Sequence, residues 1–441
     1  MNEKFEQLRE KYPKIIYHPY QIIDEEKNMK ILYHFEIPNL CEFKPYLLIS
    51  KNSIVNENTD PFLLHSIVFR LGIIELISYY KCVCPKLIEI EAGFIDEYEQ
   101  KWFRKLFYNG LGEFLHVNQI TISEEDLFQF VVRGEKEDII DVPYHGIGNL
   151  IPVGGGKDSL VTLDLLKDYD NKCFMINPKE VHFQCAGDLE SYTVKRVIDP
   201  ELLELNRQGF LNGHTPFSAI VAFLSYLVAY LSNRKYIVLS NEGSANEPTV
   251  IGTNINHQYS KTYEFENDFY EYTKKYFKID IQYFSLLRPI KEVQIAYLFS
   301  KLKKYHKIFR SCNVGSKSTP WVWCCSCPKC LFIFIMLRAF MSKEEVISIF
   351  GENLLDKESL KKDFVELIGE ADTKPFECIG TIDEVKFAMN RIIADDQSYL
   401  SRLYQENYYE DVQIDLSKIY YESHVEESYL ELLKEAIKDA R

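Results

Sequence analysis

From residue 149 onward the chain alternates between short, continuous apolar runs and longer stretches whose apolar residues recur at helical spacing. The runs at 150–153, 173–176, 236–240 and 281–284 predict strands, and the stretches at 158–167, 217–231, 262–276 and 291–302 predict helices. Strands separated by helices pair in parallel through right-handed crossovers, with helices on both faces. Continuous apolar strands such as Tyr-Ile-Val-Leu-Ser at 236–240 suit a sheet buried on both sides. The expected fold class is therefore α/β with a doubly wound parallel sheet. Residues 1–140 read differently. Strand-like pieces at 46–49 and 87–90 flank a helical pattern at 61–80, and the stretch ends in charged residues at 134–138, which predicts a separate N-terminal α+β module. Residues 141–350 hold the parallel sheet, and 351–441 form a helical, acidic region whose tyrosine-rich tail from Asp395 suggests no function.

Composition narrows the partners. The chain has 441 residues, 46% hydrophobic and 27% charged, enough to bury a sizeable core. Lys and Arg number 51 against 66 Asp and Glu, and a net charge of −15 repels polyanions, so nucleic acid is a disfavoured partner. The opening residues alternate in charge without the apolar stretch of a signal peptide, and the apolar run 217–231 is broken by Ser218 and Ser225 and is too short to span a bilayer. The expectation is a cytoplasmic protein with no membrane partner. Eleven cysteines, four of them between Cys324 and Cys330, point to a metal site in a reducing compartment rather than to disulfides.

The strand at 150–153 runs into Gly154-Gly155-Gly156-Lys157-Asp158-Ser159 and then a helix. Open parallel sheets bind phosphate there, outside the carboxyl ends of the strands. Glycines let backbone N–H groups converge on an anion, and the helix adds its positive end. Lys157 and Ser159 offer further donors, and Asp158 can hold Mg²⁺ or cap the helix. The spacing fits neither GxxxxGK[ST] nor GxGxxG. It resembles the PP-loop, SGGxDS, of the ATP pyrophosphatases, with Gly154 in place of the serine. That resemblance implies a HUP-like fold that cleaves ATP to AMP and pyrophosphate while adenylylating a substrate oxygen. A bare strand-to-helix turn with an aspartate cap is the alternative.

Cys324, Cys327 and Cys330 are spaced C-x2-C-x2-C, with Cys312 twelve residues upstream. Four thiolates in a tight loop suit a structural, tetrahedral Zn²⁺; an iron–sulfur cluster would accept the same set. Cys325 is the alternative to Cys324.

A PP-loop followed by this cysteine pattern resembles the 7-cyano-7-deazaguanine synthases. A longer match exists. The strings IPVGGGKDSLVT, NGHTPFSA, SNEGSANEPT, NHQYSKTYEFE, RPIKE and WCCSCPKC, with LGIIELISYYK and GLGEF further upstream, resemble the UDP-N-acetyl-α-D-muramoyl-L-alanyl-L-glutamate epimerase family. The resemblance spans about residues 66–350. It implies a small-molecule or peptide substrate with a terminal carboxylate, ATP-dependent inversion of a terminal L-Glu to D-Glu, and a place in peptidoglycan precursor synthesis. A free carboxylate leaves its Cα–H very weakly acidic, whereas an acyl adenylate behaves as an ester, so adenylylation puts the proton within reach of an ordinary side chain. His214 and His257, both in loops, are the candidate bases. Asn241 and Glu242 follow the strand 236–240 at the edge where ATP is expected, with Asn246 and Glu247 beyond them. Arg288 and Lys291 can take a substrate carboxylate or diphosphate, or pair within RPIKE. A PP-loop ligase or amidating enzyme and a nucleotide-binding regulatory module are the competing classes.

Overall fold

The computed structural model describes residues 2–136, 142–250 and 252–440. The expected boundary at 140/141 and the end of the charged stretch 134–138 lie outside them. Among the described residues eleven strands form one mixed sheet: β1 Lys14–Asp24, β2 Asn28–Ile37, β3 Cys41–Phe43, β4 Tyr46–Ser50, β5 Leu87–Ile90, β6 Gln129–Val132, β7 Asn149–Pro152, β8 Asn171–Ile176, β9 Ser191–Val197, β10 Tyr236–Leu239 and β11 Gln282–Ser285. The order is β11-β10-β7-β8-β9-β4-β2-β1-β5-β6, with β3 against β2.

The five strands β11-β10-β7-β8-β9 are all parallel, and the order reverses at β7. Helices cover both faces, as alternate residues of one strand show: Ile237 and Leu239 join one hydrophobic core and Val238 the other. The first core holds the helices Pro61–Tyr80, Phe217–Leu231 and Tyr263–Tyr276; the second holds Lys157–Leu165, Glu292–Ser300, Pro328–Arg338 and the C-terminal helices. The parallel sheet with helices on both faces agrees with the sequence reading.

The N-terminal strands are not a detached module. β4 pairs antiparallel with β9 through Tyr46↔Val197 to Ile49↔Val194, so they extend the same sheet. The helix Pro61–Tyr80, begun by Asp60 capping the Leu63 N–H with Pro61 in the first turn, is long and apolar enough to cross a membrane but lies mostly buried. Its Glu75 takes Arg196 of β9 in a buried pair at 2.7 Å. Residues 351–440 pack through Leu400, Tyr404, Tyr429 and Leu433 onto the second core and are part of the same body.

Candidate active site

At the carboxyl end of β7 the chain turns through the three glycines into the helix Lys157–Leu165. Gly155 has φ +79°, a left-handed conformation open to a residue without Cβ, and its carbonyl accepts from the Arg310 N–H at 2.8 Å. A Cβ on Gly154 would meet nothing within 4 Å, so that flank of the loop is open. Gly156 precedes the helix and no side chain caps its first amides, which leaves them for another acceptor. The Ser159 hydroxyl donates to the Gly156 carbonyl at 3.1 Å, and Thr162 shares a 2.8 Å hydrogen bond with Ser240 at the end of β10.

Lys157 is buried between two carboxylates: Glu292 Oε1 lies 2.6 Å from its Nζ, and Asp158 pairs with it from the other side. One ammonium cannot hold two adjacent buried carboxyls fully ionised. Burial, with Asp158 and Glu242 close by, pushes Glu292 up to about 8. Burial raises Asp158 too, but Lys157 outweighs it and keeps that carboxyl below its ordinary value. Asp158 is thus the ionised partner. Glu292, the glutamate that the sequence offered as a partner for Arg288 within RPIKE, pairs with Lys157 instead.

Arg288, expected at the substrate, is fully buried and turned inward. It donates to the Glu242 carbonyl at 2.8 Å, to the Lys261 carbonyl at 2.5 Å and to Glu266 at 2.9 Å, so it braces the loops around the site. Lys291 reaches the Tyr421 hydroxyl at 3.1 Å and lies over the Tyr420 ring. Asn241 donates to Ser285 at 3.2 Å, and Glu242 is buried beside Lys261.

His214 and His257, far apart in sequence, meet on one carboxylate. Glu113 hydrogen-bonds His257 Nδ1 and lies 3.5 Å from His214 Nδ1, and the two ring centroids are 4.4 Å apart. Their protonation differs. Burial and the neighbouring His257 lower His214 to about 4. Burial opposes protonation of His257 as well, but hydrogen bonds to Cys378 and Glu113 raise it to about 9. At neutral pH the pair holds one proton, on His257. Lys81 fixes the His214 loop by donating to Thr215 at 2.9 Å.

Lys261 joins the two groups. Its Nζ is 3.1 Å from Cys378 Sγ, and although burial opposes its charge, Cys378, Glu242 and Asp158 together raise its pKa. The segment carrying Cys378 is tied down by Lys374, whose N–H donates to the Thr249 carbonyl at 3.0 Å and whose ammonium pairs with Glu247. A cavity of about 430 Å³ is lined by Gly112, which precedes Glu113 in the chain, and Ile255, with Tyr108, Asn109 and His116. Of these groups, Glu113 and Lys261 stood within GLGEF and NHQYSK but carried no signal of their own, and Cys378 had none.

The Sγ atoms of Cys312, Cys324, Cys327 and Cys330 lie within 4.8 Å of one another. Cys325 turns away, with φ +53° and its thiol on the Phe350 carbonyl at 3.4 Å, so the geometry selects Cys324. A hydrogen bond from Cys330 lowers Cys327 to about 6, while Cys330 itself is raised by Cys327. Thiols that load one another in this way form a donor set suited to a divalent cation. The same loop carries Lys329 to the edge of the site, close enough to act on Asp158, Glu292 and Cys378.

Two family models match, the MurL N-terminal domain over residues 6–286 and the MurL C-terminal domain over 308–413; the first contains the glycine loop and both histidines, the second the cysteine loop and Cys378. The chain is 34% identical over 353 residues to the UDP-N-acetyl-alpha-D-muramoyl-L-alanyl-L-glutamate epimerase of Xanthomonas oryzae pv. oryzae (strain MAFF 311018), which covers 78% of each. It is 34% identical over 335 residues to the protein of the same name from Micromonospora sp. (strain ATCC 39149 / NRRL 15099 / SCC 1413), covering 74% of each. With both models matched and this level of identity across about three quarters of its length, the chain belongs to the MurL family.

Proposed function

We propose that this protein is a cytoplasmic, ATP-dependent epimerase of peptidoglycan precursor synthesis that inverts the terminal glutamate of UDP-MurNAc-L-Ala-L-Glu. The observation that carries the reading is that Lys261 faces both Asp158 of the glycine loop and the Cys378–His257–Glu113 side. Groups suited to phosphate and groups suited to moving a proton therefore stand on either side of one lysine. The relatives' name supplies the substrate class, and the cavity beside Glu113 offers room for part of it.

In this reading the loop is of PP-loop type. The open flank at Gly154 and the uncapped amides after Gly156 receive the ATP phosphates, and the ionised Asp158, held by Lys157, would bind Mg²⁺, which would neutralise phosphate charge there. The substrate carboxylate displaces pyrophosphate from the α-phosphorus. The acyl adenylate then loses its α-proton, its electron pair passing into the acyl group as an enolate, and a proton returns on the opposite face. Water finally splits the adenylate to the D-glutamyl acid and AMP. Neutral His214 can accept a proton and protonated His257 can donate one, so the pair has both states that inversion needs. Zn²⁺ held by Cys312, Cys324, Cys327 and Cys330 would lock the loop that presents Lys329, with all four ligands from protein.

The test is turnover in D₂O with ATP, Mg²⁺ and UDP-MurNAc-L-Ala-L-Glu. The expected products are AMP, pyrophosphate and a D-glutamyl residue with deuterium at Cα, all lost in Asp158→Ala. Formation of ADP would exclude the PP-loop assignment. ATP-dependent product without deuterium at Cα would favour the ligase or amidating class.

A further inference from the structure

Outside the four-cysteine loop, one thiol stands apart from the rest. Cys41, Cys82, Cys84, Cys173 and Cys185 lie in surroundings that favour the neutral thiol, and burial pushes each of them up. Cys378 is partly open to solvent and faces cations from three separate elements. Lys261 Nζ is 3.1 Å from its sulfur, the His257 ring stands near enough to act on it, and Lys329 approaches from the helix after the cysteine loop. Behind His257 stands Glu113, which fixes the ring through Nδ1. Burial raises the thiol, but Lys261, the His257 hydrogen bond and Lys329 outweigh it and bring it down to about 6. A structural thiol requires no such surroundings; a reactive thiolate does.

The segment 373–380 is also held in place. Lys374 ties it to the loop after β10, Asn313 of the cysteine loop donates to Glu377 at 2.6 Å, and the Phe376 ring lies 6.4 Å from that of His257. These contacts set the sulfur between the histidine pair and the lysine that also faces Asp158.

Resting on the epimerase reading above, we propose that the Cys378 thiolate is a catalytic base that takes the substrate α-proton, with Lys261 and His257 as the residues that position it. The Cα–H bond breaks, its proton forms S–H, and its electron pair enters the enolate of the acyl adenylate. The proton returned to the other face comes from the His214 end of the histidine pair, to which Glu113, touching both rings, relays the proton held on His257. The thiol proton then passes back to the neighbouring His257 imidazole, restoring the starting ion pair without a further reactant.

Two measurements test this, one independent of turnover. In the full-length wild-type protein at pH 7, peptide mapping after brief iodoacetamide treatment should show Cys378 alkylated at least about tenfold faster than the similarly exposed Cys41, with the advantage lost in Lys261→Met. In D₂O, Cys378→Ala should still release pyrophosphate from ATP and UDP-MurNAc-L-Ala-L-Glu, while its α-deuterium incorporation falls at least ~100-fold. Equal alkylation of Cys378 and Cys41, or wild-type deuterium incorporation in Cys378→Ala, would overturn the proposal. Absence of ATP-dependent deuterium in the wild type would instead refute the epimerase reading, and the alkylation result would still decide whether Cys378 is an activated thiolate.

Discussion

Cys378 and His257 shift away from their ordinary values in opposite senses, and the pair sets both limits of a pH profile. The thiol, down at about 6, is a thiolate above that pH; the imidazole, up at about 9, stays charged below it. Below about 6 the sulfur takes a proton and ceases to be a base. Above about 9 His257 loses the proton that it would return and the charge that holds the thiolate. The rate of α-deuterium incorporation should therefore rise through about 6 and fall through about 9. Glu113→Gln removes an anion that raises His257, so the upper limb should move down toward the ordinary histidine range while the lower limb moves little. An upper limb that stays in place would assign it to another group, such as Lys261. The sequence offered His214 and His257 as candidates because one stands just before a helix, in a loop expected to meet the ligand, and the other follows the loop after β10. A glutamate in GLGEF, a lysine in NHQYSK and an isolated cysteine are common surface residues until folding brings them to one point.

At the scale of elements, much of the alternation of strands and helices after residue 149 was legible: the helix expected at 217–231 is Phe217–Leu231, and the strand expected at 281–284 is Gln282–Ser285, but β9, which joins the parallel strands to β4, was not expected. β1 and β2 escaped for different reasons. Pro19 argues against a strand, yet β1 accommodates it where the pairing with β2 shifts register between His18 and Gln21, so the missing N–H leaves no rung broken. β2 carries a clean alternation, with Met29, Ile31, Tyr33, Phe35 and Ile37 inward, but pattern alone does not say which sheet it joins. The cysteine loop was legible as a cluster of four sulfurs and ambiguous at one place. Cys324→Ser should remove a ligand and cost about 2 kcal/mol or more, with loss of bound metal, whereas Cys325→Ser should stay within about 1 kcal/mol and keep the metal. Thermal unfolding with metal analysis separates the two. A metal-free wild type, or the reverse ranking, would refute the zinc assignment.

On the scale of the whole molecule the tail shows how far the expected three-part division departs from the structure. Its charge and tyrosines suggested no role, since a single acidic face reads the same whether it floats or docks. In the structure it runs from the carboxyl edge of the sheet to the amino end of β7. The Tyr420 N–H donates to the Pro289 carbonyl at 2.8 Å, Gln294 donates to the Leu416 and Lys418 carbonyls at 2.9 Å, and the Tyr429 hydroxyl reaches Asn149 at the start of β7 at 2.7 Å. The Tyr421 ring lies so close to Gly243 that a Cβ there would fall 2.0 Å from it. Leu416, Val425, Leu433 and Ile437 are all buried in the second core. At about 1.5–3 kcal/mol for each such side chain, removing residues 414–441 takes away an amount comparable to the roughly 5–15 kcal/mol by which a domain is stable. The truncated chain is therefore expected to aggregate rather than yield a smaller folded enzyme. Tyr421→Ala should fold, because it leaves those four residues in place, but it frees Lys291 and loosens the loop between Asn241 and Glu247. Its melting temperature should fall by a few degrees and its ATP-dependent turnover by a larger factor. If the truncated protein melts as the full chain does and turns over normally, the tail is an appendage and has no role in holding the site.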